Sequence, residues 1–534
     1  MKLKYTGLLL ICAATLMSSC QKESEVFSDP YAGGKDPLGI IVNKQQVPVP
    51  AAGEAGTEVT ITVKGAKKYK DDGSLKFLFN GEEGEITSVT EDVIKVKVPG
   101  RASSGITSFM VGGQLVFGPD FTVLGKINKD FTYKVVNGTN NYIVRALTVQ
   151  NGNNLFLGEF TNFDNKGIVR EIRRIVRTLP DGTYDRTLLS GSGSNGTLRD
   201  LAVVNNFWYI GGTFSGYAQR DGISNITRLT NAGQIDTVQT ATYENRTKFV
   251  SRFNGGTNGE IMHVYPSGNR VIVTGNFTYY VSRIYDQPSR LYKDSTIIDS
   301  TDVRQLARLN VDGSLDKTWR FDPNAPGYKG KLGRSLPGAN GPGTTLMHSD
   351  GKILFYGQFS TFDNVNAGNI VRLKADGTID ETFNAGTGSD EFIQYVSYNA
   401  TLNKYLAVGR FKSFNQTPSL YMVMLNYDGS VDQSFKPKAF EGGLPLFCKL
   451  FDDGLALING NFKKYDNVAR NGFFVTDQTG ELKEGYNTIG NLSGQVFDIL
   501  ETTSADGKRA WLLVGSFYNF DNQPTNNMVR VTVE

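Results

Sequence analysis

An all-β fold is what this sequence predicts, and three observations predict it. Glycine is abundant, 60 of 534 residues, and aromatics make up 11%, the balance of a turn-rich strand protein. Short runs alternate with period two, as Val59, Ile61 and Val63 do against Thr60 and Thr62. A Gly-x-Phe unit, with an aromatic three residues after the Phe, recurs seven times from Gly158 to Gly515. The chain is also too long for one ordinary core, so more than one domain is expected.

The N-terminus reads as a processing signal over residues 1–19. Lys2 and Lys4 give a basic start, and Leu8 to Met17 is an apolar run too short to span a bilayer. Met17-Ser18-Ser19-Cys20 resembles a bacterial lipobox, which implies cleavage before Cys20 and acylation of its thiol. Several acyl chains on one residue make a firm anchor, where a single chain binds marginally. Gln21-Lys22-Glu23-Ser24-Glu25 resembles the acidic signal that sends Bacteroidetes lipoproteins to the outer face of the outer membrane. The expected location is therefore the cell surface, with the lipid as the sole membrane contact. Of Cys12, Cys20 and Cys448, only Cys448 stays free, so no internal disulfide is available. Residues 20–36 are polar and read as a flexible tether.

Residues 37–124 read as half-buried antiparallel strands. Ile94, Val96 and Val98 alternate with Lys95 and Lys97 before Pro99-Gly100. The sequence from Gly56-Thr57-Glu58-Val59 through Phe79-Asn80-Gly81 and Val98-Pro99 to Phe121-Thr122-Val123 resembles an IPT/TIG immunoglobulin-like domain. That resemblance implies a sandwich acting as a spacer.

Residues 125–534 hold the repeats. The seven glycines are 54, 63, 82, 52, 51 and 55 residues apart. In the best-formed copy, Ile353-Leu354-Phe355-Tyr356 precedes the Gly and Ile370-Val371-Arg372-Leu373 follows it. The turn Asp376-Gly377 and the closing Ile379-Asp380-Glu381-Thr382-Phe383 complete the unit. Asp-Gly between short apolar runs is a strong hairpin signal. Four strands per ~50 residues make a propeller blade, and seven copies close a ring. The last copy stops one strand short, and Asp130-Phe131-Thr132-Tyr133 looks like the orphan strand that completes it. The repeat resembles the delta-60 type of secreted bacterial propellers. The repeated Asp236, Asp316, Asp380 and Asp432 are expected to pair with the repeated Arg228, Arg308, Arg372 and Arg530.

Catalytic motifs are absent from the sequence. His263 and His348 lack metal-ligand neighbours, and no nucleophile elbow, phosphate loop or paired cysteine occurs. No cofactor or metal is expected. The formal net charge of +3 falls to +1 once Lys2 and Lys4 are removed, which argues against a nucleic-acid footprint. Function is sought instead where the repeat breaks. The connection from Thr278 to about Asp302 is expanded and carries Tyr279, Tyr280, Tyr285 and Tyr292. The connection from Arg320 to about Gly343 carries Tyr328 and follows Trp319. Blade topology puts both on the face opposite the Asp-Gly turns. A tyrosine ring packs on the C–H face of a sugar while its hydroxyl bonds polar groups. These six residues are the candidate carbohydrate site.

The whole resembles the accessory glycan-binding lipoproteins of Bacteroidetes polysaccharide-uptake systems. That resemblance implies non-catalytic capture of a glycan by a monomer, with an outer-membrane transporter complex as partner. Two alternatives stay open: a polysaccharide lyase or glycoside hydrolase on the propeller, and a protein-binding adhesin or scaffold.

Overall fold

The computed structural model describes residues 34–243, 246–288 and 296–534. The expected signal, Cys20 and most of the tether lie outside the described residues. Strands make up 52% of the described residues and helix 2%, so the protein is all-β.

In the N-terminal unit eight strands pair in one continuous path. Its order is Ile41–Val42, Glu58–Lys64, Val93–Lys97, Glu82–Val89, Lys76–Phe79, Gly105–Val111, Gln114–Val123 and Ala52–Gly53. The alternation works as read: Val59, Ile61, Val63, Ile94 and Val96 are buried. Phe77 meets Phe109 edge to face at 5.1 Å. Asn80 and Gly81 both have positive φ, 45° and 95°, and turn the hairpin between Lys76–Phe79 and Glu82–Val89.

The remainder is a seven-bladed β-propeller. The inner strands of blades one to seven are Ile143–Thr148, Thr197–Val204, Glu260–Ser267, Gly343–Met347, Ile393–Asn399, Pro445–Leu450 and Leu492–Thr503. Each pairs antiparallel with the strand that ends at or runs through the repeated Gly. Six inner strands carry a register shift opposite that Gly, as between Ile393 and Tyr395. The glycine has a steric cause. A Cβ at Gly409 would sit 2.2 Å from the Phe392 carbonyl oxygen, and one at Gly460 2.1 Å from that of Leu444. Real Cβ atoms do not come so close, so the inner strand can bend onto its neighbour only where the neighbour has no side chain.

The Asp column also has a structural cause. Asp380 takes Arg372 Nε at 2.8 Å, and its other oxygen accepts the Thr382 amide and hydroxyl. The same arrangement links Asp316 to Arg308 at 2.7 Å and Asp185 to Arg177 at 2.6 Å, and Asp236 pairs with Arg228. The aromatic that ends the motif lies under the guanidinium, as Phe383 does under Arg372 at 4.9 Å. Asp432 departs from the expected pairing and takes Lys404, because Met424 occupies its arginine column.

The ring closes through its ends. Ile127–Lys129 pairs with Met528–Val533, three residues earlier than the expected Asp130–Tyr133 segment. Asp130 itself follows the strand, where it anchors the junction. Its amide donates to the Arg530 carbonyl at 2.9 Å, and its carboxylate takes Arg530 Nε at 2.6 Å.

The N-terminal unit rests on the propeller. Arg101 pairs with Asp466 at 3.1 Å, Ser104 N donates to Thr488 O at 2.8 Å, and Asn522 Nδ2 donates to Ser104 O at 3.0 Å. Asp466 and Asn522 lie in the turns between second and third strands of blades six and seven. The unit therefore sits on the propeller face opposite the Asp-Gly turns.

Candidate functional site

Six blades join their second and third strands through a two-residue turn with both φ positive, such as Asp363-Asn364 and Asn415-Gln416. The third blade instead extends a long hairpin, Tyr279–Pro288 against Thr296–Asp302. The linker to the fourth blade forms another, Phe321–Pro326 against Leu332–Ser335. A third, Thr237–Ala241 against Thr247–Ser251, rises from the linker between the second and third blades. Sequence reading missed this last hairpin. Its one trace was the 63-residue interval between Gly212 and Gly275.

The three hairpins form a crown. Lys331 pairs with Asp299, and the Tyr279 and Tyr328 rings meet at 5.0 Å and 68°, so the two expanded connections neighbour each other. Asn254 roots the long hairpin through both backbone groups of Arg283, each at 2.9 Å. Phe249, Ile298 and Leu332 are exposed on the crown.

The predicted residues divide. Tyr279 and Tyr328 are half-buried and together. Tyr280 is buried, its hydroxyl donates to Gly313 O at 3.0 Å, and burial pushes that phenol up to about 12. Tyr285 is half-buried beside Arg283; burial raises its phenol and Arg283 opposes the rise. Tyr292 lies outside the described residues. Trp319 is 3% exposed, stacks with Arg308 and donates from Nε1 to Ala375 O at 3.1 Å. It belongs to the Asp-column motif and not to the crown, because its ring is the aromatic that seals the third blade's outer strand.

Below the crown, inner-strand residues beside the repeated Gly positions line the mouth of the central channel. Arg145 lies between two carboxylates, Asp200 at 3.3 Å and Asp498 at 3.2 Å. These carboxylates also tie adjacent blades: Val264 N donates to Asp200 at 3.0 Å and Ala146 N to Asp498 at 3.1 Å. His263 Nδ1 lies 3.6 Å from Asp200, and its Nε2 is 2.9 Å from Thr344 Oγ1. Burial pushes the Asp200 carboxyl up, but Arg145, His263 and the Val264 amide outweigh it and hold it below the usual carboxylate range. The signal that could have found this cluster is one column of the inner strands, fixed by its register against the repeated Gly. Its members, each paired with the residue just before a repeated Gly, are Arg145, Asp200, His263, Thr344, Tyr395, Phe447 and Asp498.

The other histidine is packed away. His348 is buried among Tyr398, Tyr405 and Tyr427, and its Nε2 is 3.0 Å from the Tyr405 hydroxyl. Burial first, then the Arg372 charge, pulls it down to about 4. Cys448 is buried, its thiol donates to Leu406 O at 3.3 Å, and burial raises it far above the usual thiol range. Among the described residues no group of three or more His, Cys, Asp or Glu is placed to hold a metal. Among them also, no helix is long and apolar enough to cross a membrane.

Residues 16–119 match a family model described as a domain of unknown function, DUF5008. Residues 348–383 and 403–435, in the fourth and fifth blades, match one described as the DUF5122 beta-propeller. No curated protein matches. Among solved structures, the oligogalacturonate lyase of Vibrio parahaemolyticus is 10% identical with a TM-score of 0.38, over 81% of this chain and 97% of that one. The WD40 propeller domain of Doa1 is 10% identical with a TM-score of 0.37, over 77% and 98%. An auxiliary nutrient binding protein of Bacteroides thetaiotaomicron is 10% identical with a TM-score of 0.24, over 92% and 98%.

Proposed function

We propose that this chain is a lipid-anchored, cell-surface protein that binds polysaccharide without cleaving it and hands it to an outer-membrane transporter. One observation carries the reading. Three successive hairpins replace short connections on one face and set Tyr279 against Tyr328 beside the channel mouth. Loops on a rigid scaffold are where recognition is built, and crossed tyrosines offer a sugar both ring faces and hydroxyls. The two carboxylates of the Arg145 cluster do not favour the hydrolase alternative. Hydrolysis needs one carboxyl held protonated, whereas Asp200 and Asp498 are both ion-paired to Arg145.

Affinity electrophoresis of the full chain against a polysaccharide panel tests this, with product analysis alongside. The expected result is retardation without product, weakened in Tyr279→Ala/Tyr328→Ala while the melting temperature holds. Product release would favour the enzyme. The exposed Phe249, Ile298 and Leu332 favour a second reading, a protein partner on the crown. Retardation by no polysaccharide would leave that reading ahead.

A further inference from the structure

A cleft of about 790 Å³ opens at the outer edge of the first blade, beside the second. One wall is the connection that follows the first Gly-x-Phe. The other is the chain that leaves the blade's outer strand, from Tyr184 onward. Four cations line it, Lys166, Arg170, Arg173 and Arg186, against one carboxylate, Glu171. That local excess equals the +3 of the entire chain. Glu171 is already held by Arg173 at 2.7 Å, and Lys166 leans toward Asp164 at 3.6 Å. Arg170 and Arg186 are exposed and have neither an ion-pair nor a hydrogen-bond partner among the described residues. Blade construction does not use them, since the repeat arginines beside them, Arg177 and Arg228, are paired in their columns.

We propose that this cleft binds a segment of an acidic polysaccharide. Arg170 and Arg186 grip its carboxylate or sulfate groups, and Tyr184 takes the face of a sugar ring. The proposal rests on the glycan-binding reading above and names its ligand class. A guanidinium fork matches a carboxylate or sulfate through two parallel hydrogen bonds, and two unpaired forks in one concavity suit a ligand with repeated anions. The Tyr184 ring is half-buried and fixed by Phe163 at 6.4 Å, so it presents a surface that costs little to order. The volume lies in the range of built ligand sites, ~300–1,000 Å³. A nucleic acid would need a basic face extending beyond one cleft. An anionic bilayer is the competing polyanion. Ile168 and Val169, 73% and 100% exposed, stand between Lys166 and Arg170 at the rim. Two apolar residues are too little area to hold a membrane, and the arginines line the concave wall behind them.

The test is affinity electrophoresis of the full chain in alginate, in chondroitin sulfate and in neutral dextran, with cosedimentation on phosphatidylglycerol vesicles. Retardation is expected in at least one acidic gel, falling as salt rises. Arg170→Ala/Arg186→Ala should weaken it about tenfold or more at unchanged melting temperature, the loss of ~1.4 kcal/mol or more. Arg170→Lys/Arg186→Lys should restore only part, because the charge returns without the fork. Equal retardation of the alanine variant would overturn the proposal. So would vesicle binding that depends on these arginines, which would make the cleft rim a membrane contact. Retardation in dextran alone would leave the glycan-binding reading standing and remove this one, and retardation in no gel would remove both.

Discussion

Asp130→Ala should open the ring at its seam. The Asp130 and Arg530 side chains are 2% and 1% exposed, and their contact joins residues four hundred positions apart in sequence. Removing the carboxylate leaves Arg530 buried with one good acceptor, Pro180 O at 2.8 Å, and a long contact to Thr132 at 3.4 Å. Breaking a buried pair from one side costs ~3–5 kcal/mol, and the surviving bonds put this case at the low end, about 3. At ~2.1 cal/mol/K per residue over the roughly 400 residues of the propeller, that is a fall of about 3–4 °C in Tm. Differential scanning calorimetry would measure it. Replacing both partners, as in Asp130→Ala/Arg530→Met, should recover part of the loss, because no charge is then left unpaired. The pH dependence has a fixed sign. Burial raises the Asp130 carboxyl, but Thr132 and Arg530 outweigh it and hold it below its ordinary value. Its contribution is therefore present above the unfolded pKa of ~3.9 and is lost as pH falls through the lower folded value. Wild type and variant should begin to converge below about pH 4 and meet only below the folded value. A variant that melts with wild type at pH 7 would refute the clasp.

Two further predictions concern the scaffold. His348 titrates near 4 in the fold and near 6.5 when unfolded, so the unfolded chain binds the extra proton between those values. Stability should drop by up to about 3 kcal/mol as pH falls from 6.5 to 4, and denaturant titrations of His348→Gln across that range should show a flatter slope. Gly409→Ala puts a methyl 2.2 Å from the Phe392 carbonyl, and urea unfolding should show a loss of about 1–3 kcal/mol with the fifth blade fraying first in hydrogen exchange.

Much of the fold was legible because its causes are local and repeated. Gly409 and Gly460 stand where no Cβ fits, Asp380 and Asp316 where an arginine and a turn both need an oxygen, and Asn80-Gly81 where both φ are positive. Each cause acts on one spacing, so it prints through the sequence. The crown was half legible. An insertion shows as a long interval, which exposed the hairpins around Tyr279 and Tyr328. The Thr237–Ser251 hairpin lengthens its interval by too little to stand out. Trp319 was misplaced for a related reason: proximity to an insertion in sequence was weighed against its column, and the column decides burial. The Arg145, Asp200 and Asp498 cluster was illegible pair by pair, because it assembles from three blades far apart in the chain. The basic cleft hid similarly, with Arg170 and Arg186 on different sides of a strand.

The seat of the N-terminal unit has a consequence for access. It stands over the sixth and seventh blades, and the crown rises from the second through fourth, so two parapets face each other across the channel mouth. The gap between them is a slot, open at its ends over the first and fifth blades. On the glycan-binding reading, that gap would admit a long chain leaving at both ends and turn away a body too wide for it. The seat of the unit rests on bonds at Ser104, Arg101 and Thr488, joined by Arg470 Nη2 donating to Arg101 O at 3.1 Å. Selection by girth would thus be written in the joint between the two units, remote from any side chain that meets the ligand.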